Sequence, residues 1–177
     1  MSTKSAFHRD ASPDELYKDA AGQYGGALER LARAYESDPE KRRDLSQEIH
    51  FQLWRSFSGF QDRCSLRTWV YRVAHHVAAS HVLRERRKLS NLVSIENLEM
   101  IPMGQQPPFD AAIDRTKNLD RLLEIIRQLK PLDRQVIICY LEEMDAVSIG
   151  EITGLSPANV AVKIGRIKSI LKKQFHK

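Results

Sequence analysis

Apolar residues recur every three or four positions along most of the chain, and no stretch alternates apolar and polar residues as a half-exposed strand would. The spacing therefore predicts an all-α protein. The predicted helices are, in chain order, about 16–35, 39–57, 66–88, 119–129 and 134–143, a short helix after Asp145, and a final helix from Pro157.

Capping residues mark several of these boundaries. Ser65 and Asp133 are expected to cap the helices that follow them. Ser156 followed by Pro157 is a strong start signal for the last helix, and Gly154 provides a tight turn just before it. A short helix, a tight turn and a basic helix in succession predict a helix-turn-helix.

The net charge of +5 is unevenly distributed along the chain. Every charged residue between Leu89 and Ile113 is acidic, and the prolines and glycine of this segment interrupt any helix, which predicts an acidic linker between two small helical domains. Basic residues cluster at the end of the first domain (Arg84, Arg86, Arg87 and Lys88) and from Pro157 onward (Lys163, Arg166, Lys168, Lys172, Lys173 and Lys177). Two basic surfaces favour a single polyanionic partner, although each run alone could be a solvated helix end.

Several classes of protein are excluded by composition. No charge-free stretch approaches the roughly 20 residues that span a bilayer, and the charged N-terminus is unlike a secretory signal peptide. We therefore expect no membrane insertion and a cytoplasmic location. Cys64 and Cys139 have no ligand-like spacing, so both are expected to be reduced thiols.

Catalytic chemistry finds little support in the sequence. The chain lacks the HExxH, P-loop and GxSxG patterns, so we expect no enzymatic activity, no cofactor and no metal site. His76 and His81 are expected to face DNA or solvent rather than to bind a metal. Glu142 and Glu143 are expected to form a solvated pair.

The start of the last helix has the composition that a helix needs to enter a DNA major groove. Asn159 can hydrogen-bond a base edge or a phosphate, Ala161 and Val162 can contact a thymine methyl group, and Arg166 can reach guanine or the backbone. The alternative is an ordinary helical hairpin with a basic rim.

Residues 57–72 (FSGFQDRCSLRTWVYR) interleave aromatic and arginine side chains around a loop. Aromatic rings can stack on unpaired bases while guanidinium groups bind phosphates, so this segment is typical of single-strand binding. Taken alone, Phe57, Phe60, Trp69 and Tyr71 are better explained as core residues, and Arg63, Arg67 and Arg72 are what make the single-strand interpretation competitive.

Three blocks occur in an order and at a spacing that chance does not easily explain. They are residues 44–49 (DLSQEI) with 53–55 (LWR), residues 65–74 (SLRTWVYRVA) and residues 151–160 (EITGLSPANV). The blocks resemble region 2.2, region 2.3 and the region 4 helix-turn-helix of the extracytoplasmic-function sigma factors of bacterial RNA polymerase. The resemblance extends over about residues 14–88 and 116–175.

The resemblance implies a domain organisation and a function. A flexible tail (1–13) would precede a region 2 domain (14–88), which a flexible acidic linker (89–115) would join to a region 4 domain (116–177). The chain would direct core RNA polymerase to promoters and assist promoter melting. The alternative is a helix-turn-helix regulator that acts without core polymerase.

The resemblance also implies residue roles and partners. The minus-thirty-five element would contact Ser156, Asn159, Ala161, Val162, Lys163 and Arg166, and the minus-ten element would contact Phe60, Arg63, Arg67, Trp69, Arg72, His76 and Ser80. Core polymerase would contact Asp44, Gln47, Glu48, Phe51 and Trp54. The implied partners are the clamp helices of the largest polymerase subunit, the flap of the second-largest subunit, promoter DNA and an anti-sigma factor. Gly150 departs from the family pattern, which normally has alanine there, at a cost in helix propensity of about 1 kcal/mol.

Overall fold

The protein was described from a computed structural model that covers residues 11–93 and 111–175, with side chains described for 11–88 and 116–174. Over these residues it is all-α, as predicted. The first unit contains α1 (Pro13–Tyr35), α2 (Pro39–Ser56), a 3₁₀ turn (Phe57–Gly59) and α3 (Leu66–Val93). The second unit contains α4 (Ala111–Gln128), α5 (Pro131–Leu141), α6 (Ala146–Thr153) and α7 (Pro157–Phe175).

Local capping chemistry fixes where the helices of the first unit begin. Ser12 and Glu15 form a reciprocal capping box at the start of α1, and the Asp38 carboxylate accepts hydrogen bonds from the first amides of α2. The predicted cap at Ser65 is confirmed, since its hydroxyl accepts a hydrogen bond of 3.0 Å from the Thr68 amide. Helix α3 continues to Val93 and α4 begins at Ala111, so helix covers both ends of the segment predicted as a linker. The prolines and glycine of that segment lie outside the described residues.

The predicted helix-turn-helix is confirmed. The Asp145 carboxylate caps α6 through the Ser148 amide at 2.7 Å, and Gly154 ends that helix in the left-handed conformation at φ 76°. The Asn159 amide donates to the Ser156 hydroxyl at 3.3 Å at the start of α7.

The prediction that Asp133 caps α5 is wrong. Pro131 occupies the first turn and the helix begins two residues before Asp133, with Lys130 at the capping position and no side-chain hydrogen bond there. The Asp133 carboxylate instead accepts a hydrogen bond of 2.5 Å from Lys163 of α7.

The two units pack against each other, with α1 and α3 of the first unit touching α4, α5 and α6 of the second. Their buried apolar side chains form one continuous cluster. At its centre the His75 ring lies between the units, with Nδ1 2.9 Å from the Tyr35 hydroxyl and Nε2 3.2 Å from Cys139 Sγ. The Arg134 guanidinium of α5 lies over the Tyr35 ring at 5.3 Å from its centroid.

Gly150 is required by the tight turn of the helix-turn-helix. The residue is buried, and a Cβ placed on it would lie 2.6 Å from the Leu155 carbonyl oxygen, a backbone atom that cannot swing away. The close approach of helix and turn therefore explains why alanine is absent at this position.

We expect Gly150→Ala to destabilise the fold by about 1–3 kcal/mol, because the free-energy cost of crowding the methyl group against the turn exceeds the gain in helix propensity. Urea unfolding monitored by circular dichroism measures the change. Gly22→Ala in α1 is the matched control, since a Cβ at Gly22 meets nothing within 4 Å and should stabilise by up to about 1 kcal/mol. Equal or greater stability of Gly150→Ala would contradict the proposed role of the turn.

Candidate nucleic-acid interface

The start of α7 presents most of its predicted DNA-binding side chains to solvent. Asn159, Ala161, Val162 and Arg166 are exposed, Val162 to 71%. Asn159, Val162 and Arg166 recur at helical spacing, so they share one face that can approach a major groove. The Ser156 hydroxyl is already used as the helix cap.

Lys163 differs from the other predicted contacts of α7. Its ammonium group is held by Asp133 at 2.5 Å, and its side chain is only 30% exposed. The contribution of Lys163 to a cationic surface is therefore largely neutralised within the second unit.

Around the start of α3, aromatic rings and arginines form a second candidate surface. We call it the aromatic-arginine surface and define it as Phe60, Arg63, Arg67, Trp69, Arg72, His76 and Ser80. The Phe60 ring packs edge-on against Phe57 and Trp69, with centroid distances of 6.1 and 5.4 Å, and the Trp69 indole donates to the Ser56 hydroxyl at 2.9 Å. The half-buried Phe60 and Trp69 keep part of their surface accessible, whereas Phe57 and Tyr71 belong to the core.

Two open cavities lie along this surface. One, of about 450 Å³, is lined by Gly59, Phe60, Gln61, Arg63, Cys64, Trp69, Arg72 and, from the second unit, Glu151. The other, of about 560 Å³, lies between α2 and α3 and includes Arg72, His76, Ser80 and Arg84 in its lining. The surface therefore combines ring edges, cations and a concave shape, which suits an unstacked base with its phosphates.

Arg67 and Arg72 of this surface are bound to the second unit. Arg67 donates to the Glu142 backbone carbonyl and lies over the Tyr71 ring, while Arg72 donates to the Glu151 backbone carbonyl at 2.8 Å. Arg63 is exposed. The sequence alone did not indicate that Arg67 contacts the end of α5 or that Arg72 contacts Glu151 of α6.

The interpretation of Glu142 as a solvated residue is wrong. Its carboxylate, 13% exposed, accepts two hydrogen bonds of 2.7 Å from Arg30 and one of 3.2 Å from the Tyr71 hydroxyl. The hydrogen bond to Glu142 raises the pKa of Arg30, while burial and the neighbouring carboxylate raise the pKa of Tyr71. No sequence signal identified Glu142, because Arg30 lies more than one hundred positions away.

The histidines divide between surface and interior. His76 is exposed, as expected, but the expectation that His81 faces DNA or solvent is wrong, because His81 is buried and its Nε2 lies 3.0 Å from the Glu36 carboxylate.

Burial lowers the pKa of His75 to about 3 and raises the pKa of the Cys139 thiol to about 12. Both partners of the contact between the units are therefore neutral at pH 7. The described residues contain no group of three or more potential ligands that could hold a metal ion.

The outer side of α2 forms a third candidate surface. We call it the α2 face and define it as Asp44, Gln47, Glu48, Phe51 and Trp54. Phe51 and Trp54 are 52% and 45% exposed with ring centroids 6.3 Å apart, and the Trp54 indole donates to Asp14 at 2.7 Å. Asp44 and Gln47 are exposed, and Glu48 is half-buried and accepts a hydrogen bond from Gln52. Two neighbouring exposed aromatic rings on a polar helix are typical of a protein-docking surface.

Two protein-family models match this chain, one over the first unit and the other over the second. The family model for sigma-70 region 2 matches residues 21–88, and the model for sigma-70 region 4 matches residues 119–171. The chain belongs to the extracytoplasmic-function (ECF) sigma factors. Sigma factors are transcription initiation factors rather than enzymes.

Relatives that match over most of their length support the assignment to the ECF sigma factors. This chain is 26% identical over 172 residues to the RNA polymerase sigma factor YlaC of Bacillus subtilis (strain 168), and the match covers 96% of this chain and 95% of the relative. It is 24% identical over 176 residues to the ECF RNA polymerase sigma factor SigW of the same organism, covering 94% and 90%.

Two solved structures share the fold of the ECF sigma factor, each at 17% sequence identity. One is the sigma factor RpoE in complex with the anti-sigma factor NepR from Bartonella quintana, with a TM-score of 0.68 over 90% of this chain and 96% of that chain. The other is CnrH in complex with the cytosolic domain of CnrY, with a TM-score of 0.62 over 96% and 92%. Within residues 11–93 and 111–175, no helix has the length and apolar character needed to cross a membrane.

Acidification should destabilise the ECF sigma factor through His75. The unfolded chain binds this proton with a pKa near 6.5 and the folded chain only near pH 3, so stability is lost as pH falls from about 6.5. Between pH 7 and pH 5 the loss from this residue is about 2 kcal/mol. Urea unfolding at both pH values, compared with His75→Gln, isolates this contribution. An NMR titration in which the His75 ring protonates above pH 5.5 in the folded chain would contradict the prediction.

Proposed function

We propose that this sigma factor divides promoter recognition among three surfaces on different helices. The α7 face, which we define as Asn159, Ala161, Val162 and Arg166, binds duplex DNA of the minus-thirty-five element. The aromatic-arginine surface binds the opened strand of the minus-ten element, and the α2 face docks on core polymerase. The observation that carries the proposal is the cavity of about 450 Å³ in which Phe60 and Trp69 meet Arg63 and Arg72 beside an exposed helix.

The minus-ten contact is proposed as capture of an extruded base. Taking a base out of the stack costs a few kcal/mol, and stacking on aromatic rings contributes about 1–3 kcal/mol per base. Phe60 and Trp69 offer the rings, and Arg63, Arg67 and Arg72 offer cations for the flanking phosphates. His76 and Ser80, exposed one and two turns further along α3, would contact the strand as it leaves the cavity.

At the start of α7, the side chains proposed to contact the minus-thirty-five element are mostly uncharged. Val162 and Ala161 offer methyl groups to thymine, Asn159 offers an amide to a base edge, and Arg166 supplies an exposed guanidinium. Lys163 is a weaker contact than the sequence suggested, because Asp133 already pairs with it.

Partners follow from the same division of surfaces. We assign the clamp helices of the largest polymerase subunit to the α2 face and the flap of the second-largest subunit to the second unit. An anti-sigma factor is a further proposed partner, supported by the fold shared with RpoE in its complex with NepR. The proposed location is the cytoplasm, where core polymerase and promoters are found. Domain limits of 14–88 and 116–177 remain our proposal.

A regulator that acts without core polymerase is disfavoured. Such a protein would use the helix-turn-helix alone and would need neither the α2 face nor the aromatic-arginine surface. Reconstitution with core polymerase tests this directly, since promoter-dependent transcription is expected and a chain that binds duplex DNA but never associates with core would contradict it.

The two tryptophans should separate core docking from promoter opening. Trp69→Ala should reduce opening about 5- to 150-fold, corresponding to roughly 1–3 kcal/mol of lost stacking, and leave core affinity intact. Trp54→Ala is the matched control, because it removes an equal side chain from the α2 face and should weaken core binding instead. Permanganate reactivity measures opening, and gel shift measures closed-complex binding. Equal loss of both by Trp69→Ala would make Trp69 a core residue.

Arg166 and Lys163 should contribute unequally to duplex binding. Arg166→Ala should weaken minus-thirty-five binding by about 1–3 kcal/mol and reduce the salt slope by about one. Lys163→Ala should have a smaller effect, since its charge is paired with Asp133. Fluorescence anisotropy over a range of salt concentrations measures both. A larger effect of Lys163→Ala would show that the Asp133 pair opens on DNA.

A further inference from the structure

We propose that Arg63 selects which base of the minus-ten element is captured. The preferred base presents a carbonyl oxygen next to a ring nitrogen that carries no proton, which describes cytosine and guanine but neither thymine nor adenine. The inference rests on the proposed function of the aromatic-arginine surface and deepens it, because that function uses Arg63 only as one of three cations and leaves the base open.

The side chains that line the cavity of about 450 Å³ carry mostly hydrogen-bond donors. Those of the first unit with polar groups are Gln61, Arg63, Cys64 and Arg72. Burial raises the pKa of the Cys64 thiol, so it stays protonated at pH 7 and adds no negative charge. Among the described residues of the first unit, no carboxylate lines the cavity, and Asp62 in the same loop is not part of its wall. The cavity therefore favours a base that is rich in acceptors.

The two arginines of this lining occupy different positions. Arg72 also lines the cavity of about 560 Å³ between α2 and α3, so it stands in the wall that the two cavities share. A strand that passes from one cavity to the other has its sugar-phosphate backbone at this wall. We therefore assign Arg72 to a phosphate, a contact that carries no sequence information.

Arg63 is the arginine that is available for a base edge. It is exposed, and the described residues give its guanidinium no hydrogen-bond or ion-pair partner, whereas Arg67 and Arg72 donate to backbone carbonyls. It lines the same cavity as Phe60 and Trp69, whose ring centroids lie 5.4 Å apart. A base that stacks on either ring presents its polar edge to the side chains of that wall.

The chemistry of the guanidinium determines the preferred base. Its parallel N–H groups match two neighbouring acceptors, as in the bidentate pairing of arginine with O6 and N7 of guanine. An extruded base also exposes its Watson–Crick edge, where cytosine presents O2 beside an unprotonated N3. Thymine carries a proton on N3, and adenine has an amino group where guanine has O6. Each of these two bases therefore leaves one N–H group of Arg63 without an acceptor.

Gln61 is the competing selector in the same cavity. A carboxamide pairs with N6 and N7 of adenine through one acceptor and one donor. Hydrogen bonds from a charged group are about twice as strong as those between neutral groups, so Arg63 outweighs Gln61. A preference for adenine is therefore the result that would assign selection to Gln61.

The test measures the affinity of the holoenzyme, reconstituted with core polymerase, for single-stranded 12-mers by fluorescence anisotropy. Each probe is a chain of stable abasic nucleotides with one base at its centre, and a fully abasic 12-mer reports the backbone contacts alone. Guanine is compared with adenine and cytosine with thymine, so that each comparison keeps ring size and stacking nearly constant. Core polymerase without the sigma factor gives the background.

We expect guanine to bind about 5- to 150-fold more tightly than adenine, and cytosine to exceed thymine within the same range. Arg63→Lys keeps the charge but loses the planar pair of donors. It should reduce both preferences to below about twofold and leave the affinity for the abasic 12-mer unchanged. Arg72→Lys is the matched control, because it makes the same exchange at the other arginine of the cavity and should leave both preferences intact.

Two base analogues test the atoms that Arg63 is proposed to contact. 7-Deazaguanine lacks the N7 acceptor and should bind more weakly than guanine. A 2-pyrimidinone base keeps O2 and N3 of cytosine but lacks its amino group, so it should bind as cytosine does. Weak binding of 2-pyrimidinone would assign recognition to a carboxylate such as Glu151, which lines the cavity from the second unit, and would overturn the inference.

Equal affinities for all four bases, each above that of the abasic 12-mer, would overturn selection by Arg63 and leave base capture intact. A preference for adenine or thymine, or a preference for guanine or cytosine that survives Arg63→Lys, would overturn it as well. A preference within only one pair that Arg63→Lys abolishes would support the inference and identify the captured base. If the abasic 12-mer binds as tightly as every other probe, base capture itself fails, and the minus-ten part of the proposed function with it.

Discussion

The structure depends on arginines that can donate either to the protein itself or to a nucleic acid. Arg67 and Arg72 project from the first turns of α3, where backbone carbonyls of the second unit receive them. A guanidinium has five donors in a rigid plane and suits both carbonyls and phosphates, so the carbonyl contacts of these arginines and their proposed contacts with phosphates use the same donors. The Glu142 carboxylate strengthens this contact between the units, because it accepts hydrogen bonds from Arg30 of α1 and from Tyr71 of α3.

The buried part of the interface has a different character from this charged rim. Tyr35, His75 and Cys139 meet as neutral groups, since burial keeps the imidazole unprotonated and the thiol protonated. Each ring nitrogen faces one partner, so the contact is satisfied without a net charge. A neutral, hydrogen-bonded centre holds the units in one register, while the ion pairs around it remain accessible to water and salt.

How much the sequence could predict depends on how local each signal is. The helices, the Ser65 cap and the helix-turn-helix were predictable because their hydrogen bonds join residues three or four positions apart. Asp133, Glu142 and His81 were misassigned because their partners, Lys163, Arg30 and Glu36, lie 30, 112 and 45 positions away. A charged side chain in a helix has the same local pattern whether its partner is water or a distant arginine, so composition cannot tell these cases apart.

Gly150 shows how a departure from a family pattern can acquire a physical reason only in three dimensions. Helix propensity alone makes glycine the poorer residue in α6. The Leu155 carbonyl nevertheless passes so close that a Cβ at position 150 would lie 2.6 Å from its oxygen. Gly154 ends α6 in the left-handed conformation, and the chain then returns so closely that the Leu155 carbonyl lies against Gly150. Glycine at position 150 is thus required by the packing of the helix-turn-helix itself, and neither helix propensity nor the local sequence pattern indicates that requirement.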